Sequence, residues 1–312
     1  EGRELPHGSW CLVLDHPDRP SVRLPVRLER CGRFDGLDPD GMPSPVVLPS
    51  SIPEDVRYVP AGWFEAGGDG DVPDGLPRRQ LWVPAFFLAR RPVTQAEYLV
   101  FLNDLVVRGD GPGAALHRPR RSDDGEQVVL GDDGRYRLGH TADGTPVQPD
   151  WPVTLVDWFA ASAYASWKAD RDGLSWRLPH DHEWEKAARG VDGRLYPWGD
   201  HLEPSWTVMS QSHTGVPRLA SVSALPDDVS PYGVEGLAGN VRDWCGNTYL
   251  ATGPEGARLD PFEQRGDPTY RMSRGGAWTS SAPHCQVDAR FATLPRRRLH
   301  NHGIRLARSL SC

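Results

Sequence analysis

The chain has 312 residues, of which 38% are hydrophobic, and a formal net charge of −7. This length allows one sizeable core or two, and the acidic balance argues against a nucleic-acid-binding module, which normally carries a basic excess. The 33 glycines, 30 prolines and 12 tryptophans indicate a loop-rich fold with aromatic anchors and exclude a large helical bundle.

The five cysteines are scattered, without the paired spacing of a zinc site or a disulfide framework. The sequence shows no apolar signal segment and no run of about 18 apolar residues that could span a bilayer. We therefore expect a cytoplasmic protein with no membrane partner and no nucleic-acid partner. Because the chain begins at Glu1 and not at methionine, we also expect it to be a piece of a longer protein.

The N-terminal part, residues 1–36, predicts a β-hairpin or small sheet. Short apolar runs alternate with polar residues on both sides of a turn at residues 16–20. Residues 37–55 are rich in Asp, Pro, Gly and Ser and predict a linker. The main domain is expected to cover residues 56–312.

Three helices are predicted in the main domain. The first covers residues 94–107 and begins with a capping box of Thr94 and Glu97, and the second covers residues 158–169. Between them, residues 108–149 are polar and predict an insertion that contains a hairpin.

The third helix is short and predicted to be amphipathic. Pro179 would lie in its first turn, His180 or Asp181 would cap it, and Gly190 would end it. Positions i and i+2 of a helix face different directions. His180 and His182 are therefore interpreted as a cap and a surface residue, not as a pair of metal ligands.

The C-terminal part predicts a loop that enters a buried strand at residues 236–244, and then a second loop between two flanking motifs. These motifs are Arg274-Gly275-Gly276-Ala277-Trp278 and residues 301–308. The loop between them carries residues that could perform chemistry or bind a partner, namely Ser280, Ser281, His284, Cys285 and Arg290.

Together these segments resemble the formylglycine-generating enzyme family, also called the sulfatase-modifying factor fold, a variant of the C-type lectin fold. The resemblance extends over roughly residues 56–309, and the matching segments are 59–64, 86–98, 152–158, 175–190, 196–200, 236–244, 274–278 and 301–308. It implies an α+β, loop-rich domain with short strands and few helices, here preceded by the small β unit.

Enzymes of that family bind a single copper(I) through two cysteines, a suitable pair of soft ligands. The resemblance places these two positions at Ser280 and Cys285, so one thiolate is missing. Ala277 and Arg242 replace a serine and a tryptophan of the family's active site. We therefore expect no copper and no catalytic residue, and Cys285 reads as a small buried hydrophobe. The alternative is that Cys285 is a reactive thiol near His284.

The family also carries structural calcium, which prefers carboxylates and carbonyl oxygens. The resemblance places one calcium site at the carbonyls of Gly239 and Val241 and the carboxylate of Asp243. The family's side-chain oxygen ligand at position 236 is absent, because this residue is glycine. Both alternatives, calcium retained and calcium lost, stay open.

The preserved scaffold with an incomplete copper site predicts a non-catalytic ligand- or protein-binding domain, a sensory or recognition module of a larger bacterial protein. The small β unit resembles modules that follow serine/threonine kinase domains, and related folds form the variable proteins of diversity-generating retroelements. The alternative is an enzyme, a metal-dependent oxidase or sulfoxide synthase.

A protein or small-molecule ligand is expected at the C-terminal loop surface. Arginine forks suit carboxylates and phosphates, so an acidic partner is favoured. The predicted binding residues are Arg242, Trp278, Thr279, Ser280, Ser281, His284, Arg296, Arg297, Arg298 and His300. Four residues are also expected to be largely structural, with both tryptophans buried and both arginines bound to carboxylates or carbonyls, namely Trp244, Trp278, Arg290 and Arg305.

Overall fold

The computed structural model describes residues 5–29, 36–68, 72–120, 125–212, 215–224 and 226–310. Within these ranges no helix has the length and apolar character needed to cross a membrane.

The described residues form four α-helices, fourteen short strands and two 3-10 turns, which confirms the predicted α+β, loop-rich class. The helices are α1 (Gln95–Val107), α2 (Gly111–His117), α3 (Trp158–Asp172) and α4 (Asp181–Arg189). The strands are β1 (Gly8–His16), β2 (Arg19–Leu28), β3 (Val56–Val59), β4 (Gly62–Ala66), β5 (Arg79–Val83), β6 (Phe86–Ala89), β7 (Val128–Leu130), β8 (Tyr136–Leu138), β9 (Trp176–Arg177), β10 (Arg242–Tyr249), β11 (Asp267–Arg274), β12 (Arg290–Thr293), β13 (His302–Gly303) and β14 (Ala307–Ser309).

Two four-stranded sheets organise the main body. One has the strand order β12-β11-β10-β13, and the other has the order β3-β6-β14-β9. The last strand, β14, pairs antiparallel with both β6 and β9, so the C-terminal end of the chain closes the second sheet. The apolar side chains of this sheet pack against α1 and α3 on one side and against α4 on the other.

Strands β1 and β2 form an antiparallel hairpin in the N-terminal part. Val22 is buried with the core residues of the main body, and Arg27 forms an ion pair with Glu65 of β4. The hairpin therefore packs against the main body. The domain boundaries at residues 36 and 55 stay a prediction.

Helices α1 and α3 begin as the sequence predicts. The capping box of α1 is present: Thr94 Oγ1 accepts from the backbone N–H of Glu97, and the Glu97 carboxylate accepts from the backbone N–H of Thr94. Asp157 caps α3, and Gly173 ends it in the left-handed conformation, three residues beyond the predicted end. The insertion contains the predicted hairpin, β7 and β8, and also the short helix α2, which was not predicted.

Helix α4 corrects two expectations. His180 is its N-cap, so Pro179 lies before the helix and not in its first turn. The helix is not amphipathic at a surface, because all nine of its residues are buried, including four charged side chains in addition to Asp181. Those charges have partners in the main body: Glu183 pairs with Arg177, Glu185 with Arg274, and Arg189 donates to the carbonyls of Glu65 and Gly67.

Candidate functional site

The loop between β11 and β12 packs directly on the loop that precedes β10, and a glycine pair permits this approach. Gly275 has φ of +86°, a conformation that strongly favours glycine. A Cβ on Gly276 would collide with the carbonyl oxygen of Ala238 and with Cys285 Sγ. The Gly-Gly motif therefore brings Cys285 against the backbone at the start of β10.

Ser280 and Cys285, the two positions that the resemblance assigns to the copper ligands, lie next to a cation in this structure. Arg242 Nη2 donates to Ser280 Oγ over 3.2 Å, and Arg242 Nε donates to the carbonyl of Gly275 over 3.3 Å. Burial lowers the pKa of Arg242 to about 10, which leaves the guanidinium charged at neutral pH. A guanidinium here opposes the binding of a second cation.

Cys285 is 1% exposed, and burial raises the pKa of its thiol to about 12. The thiolate is both the nucleophile and the metal ligand, so this environment suppresses both roles. The geometry supports the interpretation of Cys285 as a buried hydrophobe. Ser280 is also buried, and its Oγ accepts from the backbone N–H of Ala277. Ser280 therefore stabilises the loop. It was predicted to bind a ligand, but its side chain is not accessible to one.

Arg242 also begins a stack of side chains at the mouth of this loop. Its guanidinium carbon lies 3.6 Å from the centroid of the Phe291 ring. The His284 ring stacks on the same phenyl group, with centroids 5.8 Å apart and planes 10° from parallel, and its Nδ1 lies 2.9 Å from Ser281 Oγ. Burial and the charge of Arg242 lower the pKa of His284, so this imidazole is neutral at pH 7.

Trp278 occupies the opposite end of the loop and corrects the expectation that it is buried. It is partly exposed, its Nε1 donates to the carbonyl of His300, and its ring lies 5.3 Å from the His300 ring. Both residues line a cavity of about 270 Å³ together with Trp151, Arg218 and Leu219. Because these three residues lie far from the C-terminal motifs in the sequence, no local pattern pointed to them.

Three further predicted binding residues differ in how accessible they are. Thr279 is exposed and accepts a hydrogen bond from Asn301 Nδ2. Arg296 and Arg297 are exposed as expected, and Arg296 stacks over the ring of Phe159.

Arg298 was predicted to bind a ligand, but its side chain does not extend into solvent. Its guanidinium pairs with Asp157, the cap of α3, and donates to the carbonyls of Leu116 and Arg118. These contacts use the fork that was expected to bind an acidic partner. Arg298 instead ties the C-terminal loop to α2 and α3.

The predicted calcium residues do not by themselves fit a calcium ion. Asp243 Oδ2 accepts from Trp184 Nε1 and from Arg305 Nε, over 2.8 Å and 2.7 Å. Of the two carboxylate oxygens of Asp243, Oδ1 has no hydrogen-bond partner among the described residues. Asp243 Oδ1 and the carbonyl oxygens of Gly239 and Val241 could supply three ligands to a calcium ion. Calcium takes about 6–8 oxygen ligands. The buried guanidinium of Arg305 neutralises the same carboxylate.

The prediction that His180 caps α4 is confirmed, but the interpretation of His182 as a surface residue is wrong. His182 is 1% exposed, and because His180 caps the helix, the Nδ1 atoms of both residues converge on Asp181 Oδ1, at 2.9 Å and 2.8 Å. Burial alone would raise the pKa of Asp181, but the attraction of His182 and His180 outweighs it and holds the pKa well below its usual value. Arg290 Nε lies 3.2 Å from Asp181 Oδ2, so this cluster already holds its cation.

Residues 46–310 match a family model described as a sulfatase-modifying factor enzyme 1-like domain. The chain is 27% identical to serine/threonine-protein kinase Pkn1 of Chlamydia trachomatis, over 85% of this chain and 40% of the kinase. It is 33% identical to hercynine oxygenase of Mycolicibacterium thermoresistibile, over 74% of this chain and 52% of that protein. The chain thus spans about half or less of the length of these two relatives.

A third relative is similar over nearly its whole length. The formylglycine-generating enzyme of Streptomyces coelicolor is 30% identical, with 85% of this chain and 92% of that enzyme covered. Among solved structures, PvdO from Pseudomonas aeruginosa superposes with a TM-score of 0.61 at 22% identity, covering 82% of this chain and 94% of PvdO. Treponema denticola variable protein 1 superposes with a TM-score of 0.59 at 19% identity, covering 82% and 95%.

Proposed function

Because the chain belongs to the sulfatase-modifying factor enzyme 1-like family, we propose that it is a recognition domain of that family, which binds a partner and catalyses no copper-dependent oxidation. The observation that carries the proposal is the Arg242 guanidinium on Ser280 Oγ. It puts a fixed positive charge at one of the two copper positions. At the other position, Cys285 holds a thiol that stays protonated at neutral pH.

The relatives are consistent with either a binding or a catalytic role. The kinases named Pkn1 motivate the proposal that this domain serves as the sensory part of a larger bacterial protein. The hercynine oxygenases and formylglycine-generating enzymes motivate the alternative, a metal-dependent oxidase or sulfoxide synthase. A cytoplasmic location stays a prediction. The two functions differ in whether the purified protein holds a stoichiometric transition metal.

We expect the protein to bind copper(I) only weakly and to leave a cysteine-containing sulfatase peptide unmodified. A hydroxyl and a protonated thiol cannot form a linear two-thiolate site, and Arg242 repels the ion. Competition against a copper(I) chelator, elemental analysis for copper, iron and calcium, and mass spectrometry of the peptide after aerobic incubation measure this. Stoichiometric copper or iron, or conversion of the peptide, would contradict the recognition role.

Two variants provide the control for the copper measurement. Ser280→Cys alone restores a second thiol but leaves the guanidinium in place, so we expect a small gain in copper affinity. Ser280→Cys combined with Arg242→Trp removes the cation as well and should gain much more. Equal affinities for the two variants would show that Arg242 is not what excludes the metal.

The binding surface that we propose consists of Arg242, Trp278, His284, Phe291 and His300, and is called the cleft surface below. Its members combine aromatic faces with a cation. Arg242 and Phe291 lie on β10 and β12, and Trp278, His284 and His300 lie on the loops beside them, where binding residues concentrate. The exposed Arg296 and Arg297 extend the positive charge next to it, which favours an acidic protein segment as the partner.

We expect Arg296→Ala/Arg297→Ala to weaken partner binding and to reduce its salt dependence, because exposed charges act over a screening length of about 8–10 Å. Trp278→Ala/His300→Ala should weaken it at all salt concentrations. Quantitative pull-downs from the native host at low and high salt measure both effects. Arg135→Ala/Arg137→Ala, an exposed arginine pair in another part of the chain, is the matched control.

The double variants Arg296→Ala/Arg297→Ala and Trp278→Ala/His300→Ala together test this surface. If both fold and retain every specific partner of the unmodified protein, the cleft surface is not the binding site.

A further inference from the structure

A second cavity, of about 490 Å³, lies where the N-terminal hairpin meets the main body. Leu24 and Val26 of β2 form one wall, and Trp63 and Trp82 of the β4-β5 pair form another, with Tyr232 between them. Strand β2 precedes residue 46, where the family match begins. The cavity therefore depends on a segment outside the family's own domain, and none of the cleft-surface residues lines it.

Lys186 of α4 reaches this cavity from the interior of the protein. Its Nζ donates to the carbonyl oxygens of Pro60, Gly62 and Val83, over 2.8 Å, 2.9 Å and 3.4 Å. No carboxylate of the described residues lies within ion-pair distance of it, and burial lowers the pKa of Lys186 to about 7 against the opposing attraction of Glu183. The carbonyls satisfy the hydrogen bonds of the ammonium but supply no counter-charge.

The other charged side chains at the cavity already have partners. Arg27 pairs with Glu65 and approaches Glu29 to 3.8 Å. These contacts leave Lys186 as the cation that lacks a counter-ion among the lining residues that the structure describes. With a pKa of about 7 the amine is only partly protonated at neutral pH, and a bound anion would favour its charged form because the surrounding medium is of low polarity.

The tryptophan wall adds an independent sign of a missing group. Trp82 is 7% exposed, and its Nε1 has no hydrogen-bond partner among the described residues. By contrast, Nε1 of Trp63 donates to the carbonyl of Leu37 over 2.9 Å. Buried indole N–H groups usually have an acceptor. A ligand with a flat ring system would suit these walls, and an anionic group on it would suit Lys186.

We propose that this cavity binds an aromatic anion, a molecule of one to three aromatic rings with a carboxylate or sulfonate group. The rings would pack against Trp63 and Trp82, and the anionic group would lie toward Lys186. The volume is within the range of small-molecule sites. This site is separate from the cleft surface, so each can fail without the other.

The test uses the full chain and two fluorescent probes with the same ring skeleton. One is 8-anilinonaphthalene-1-sulfonate, and the other is N-phenyl-1-naphthylamine, which lacks the sulfonate. We expect the sulfonated probe to bind the unmodified protein at one saturable site and more tightly than the neutral probe. Lys186→Met should weaken the sulfonated probe by about tenfold or more and leave the neutral probe nearly unchanged.

Two tryptophan substitutions locate the probe. Trp63→Leu should weaken both probes, since it removes a wall of the cavity. Trp206→Leu, which removes a partly exposed indole elsewhere, should weaken neither. Circular dichroism and melting temperature confirm that each variant is folded.

The proposal is overturned if no saturable site is found, if Lys186→Met weakens both probes equally, or if Trp278→Ala abolishes binding while Trp63→Leu does not. If Lys186→Met does not fold, the proposal is tested by two other measurements. These are the affinities of the two probes for the unmodified protein and the effect of Trp63→Leu on them. Tighter binding of the sulfonated probe that is lost in Trp63→Leu supports the proposal, and any other result overturns it.

Discussion

Arg305→Met is expected to prevent stable folding. Arg305 is fully buried, and all three nitrogens of its guanidinium have partners. Nε donates to Asp243, Nη1 to the carbonyls of Ala89 and Arg90, and Nη2 to the carbonyls of Glu235 and Gly236. One side chain thus joins the end of β6, the loop before β10, and β10 itself.

The expected cost follows from what the substitution leaves behind. Methionine fills much of the space but leaves the carboxylate of Asp243 buried without a cation, a loss of about 3–5 kcal/mol. Total stabilities are only about 5–15 kcal/mol, so the variant should be insoluble or melt at least roughly 10 °C lower. Urea unfolding and calorimetry measure the change.

A second variant separates the lost charge from the lost packing. Arg305→Met combined with Asp243→Asn removes the unpaired charge, and the amide oxygen can still accept from Trp184 Nε1. The pair should recover part of the lost stability. If Arg305→Met alone costs less than about 1 kcal/mol, the arginine is not the central connection that its contacts indicate.

Trp244→Ala is expected to cost about 3–5 kcal/mol, the range for deleting a large buried aromatic side chain. Trp244 has no exposed surface, its Nε1 donates to the carbonyl of Val156 over 3.1 Å, and its ring lies 5.1 Å from the ring of His302. The substitution would open a cavity in the core between β10 and α3 and leave that carbonyl without its donor.

Trp278→Ala is the matched comparison, because it deletes the same side chain from a partly exposed position. We expect a clearly smaller loss, since solvent and the adjoining cavity already touch the indole. Denaturant unfolding of both variants under the same conditions measures the difference. A loss for Trp278→Ala equal to that for Trp244→Ala would mean that Trp278 belongs to the core, as the sequence suggested.

The family and the local elements could be predicted because their signals are local or are fixed patterns. The capping box of Thr94 and Glu97 needs only four consecutive residues, and the glycine pair at 275 and 276 marks a backbone approach that no side chain permits. The capping box and the glycine pair each depend only on residues that are close together in the sequence. The motifs occur in a fixed order, so their matches reinforce each other.

The errors in the predicted site come from contacts between distant segments. Nothing near Arg298 in the sequence shows that its guanidinium would form an ion pair with Asp157 and hydrogen bonds with two carbonyls. In the same way, His182 was interpreted as a surface residue because its i, i+2 spacing from His180 places the two side chains in different directions on a helix. Its burial depends on β10, β11 and the β4 region, which together enclose the helix.

The burial of α4 has a consequence for the order of folding. Trp184, Ala187 and Ala188 of the helix pack in an apolar core cluster, but its charged side chains would lose water before they reach their partners if the helix docked alone. The partners Arg177, Arg274 and the carbonyls of Glu65 and Gly67 come from segments widely separated along the chain. We therefore expect α4 to be enclosed late, after β4, β9 and β11 have come together. Until then its charged side chains would stay hydrated, because their buried partners are not yet in place.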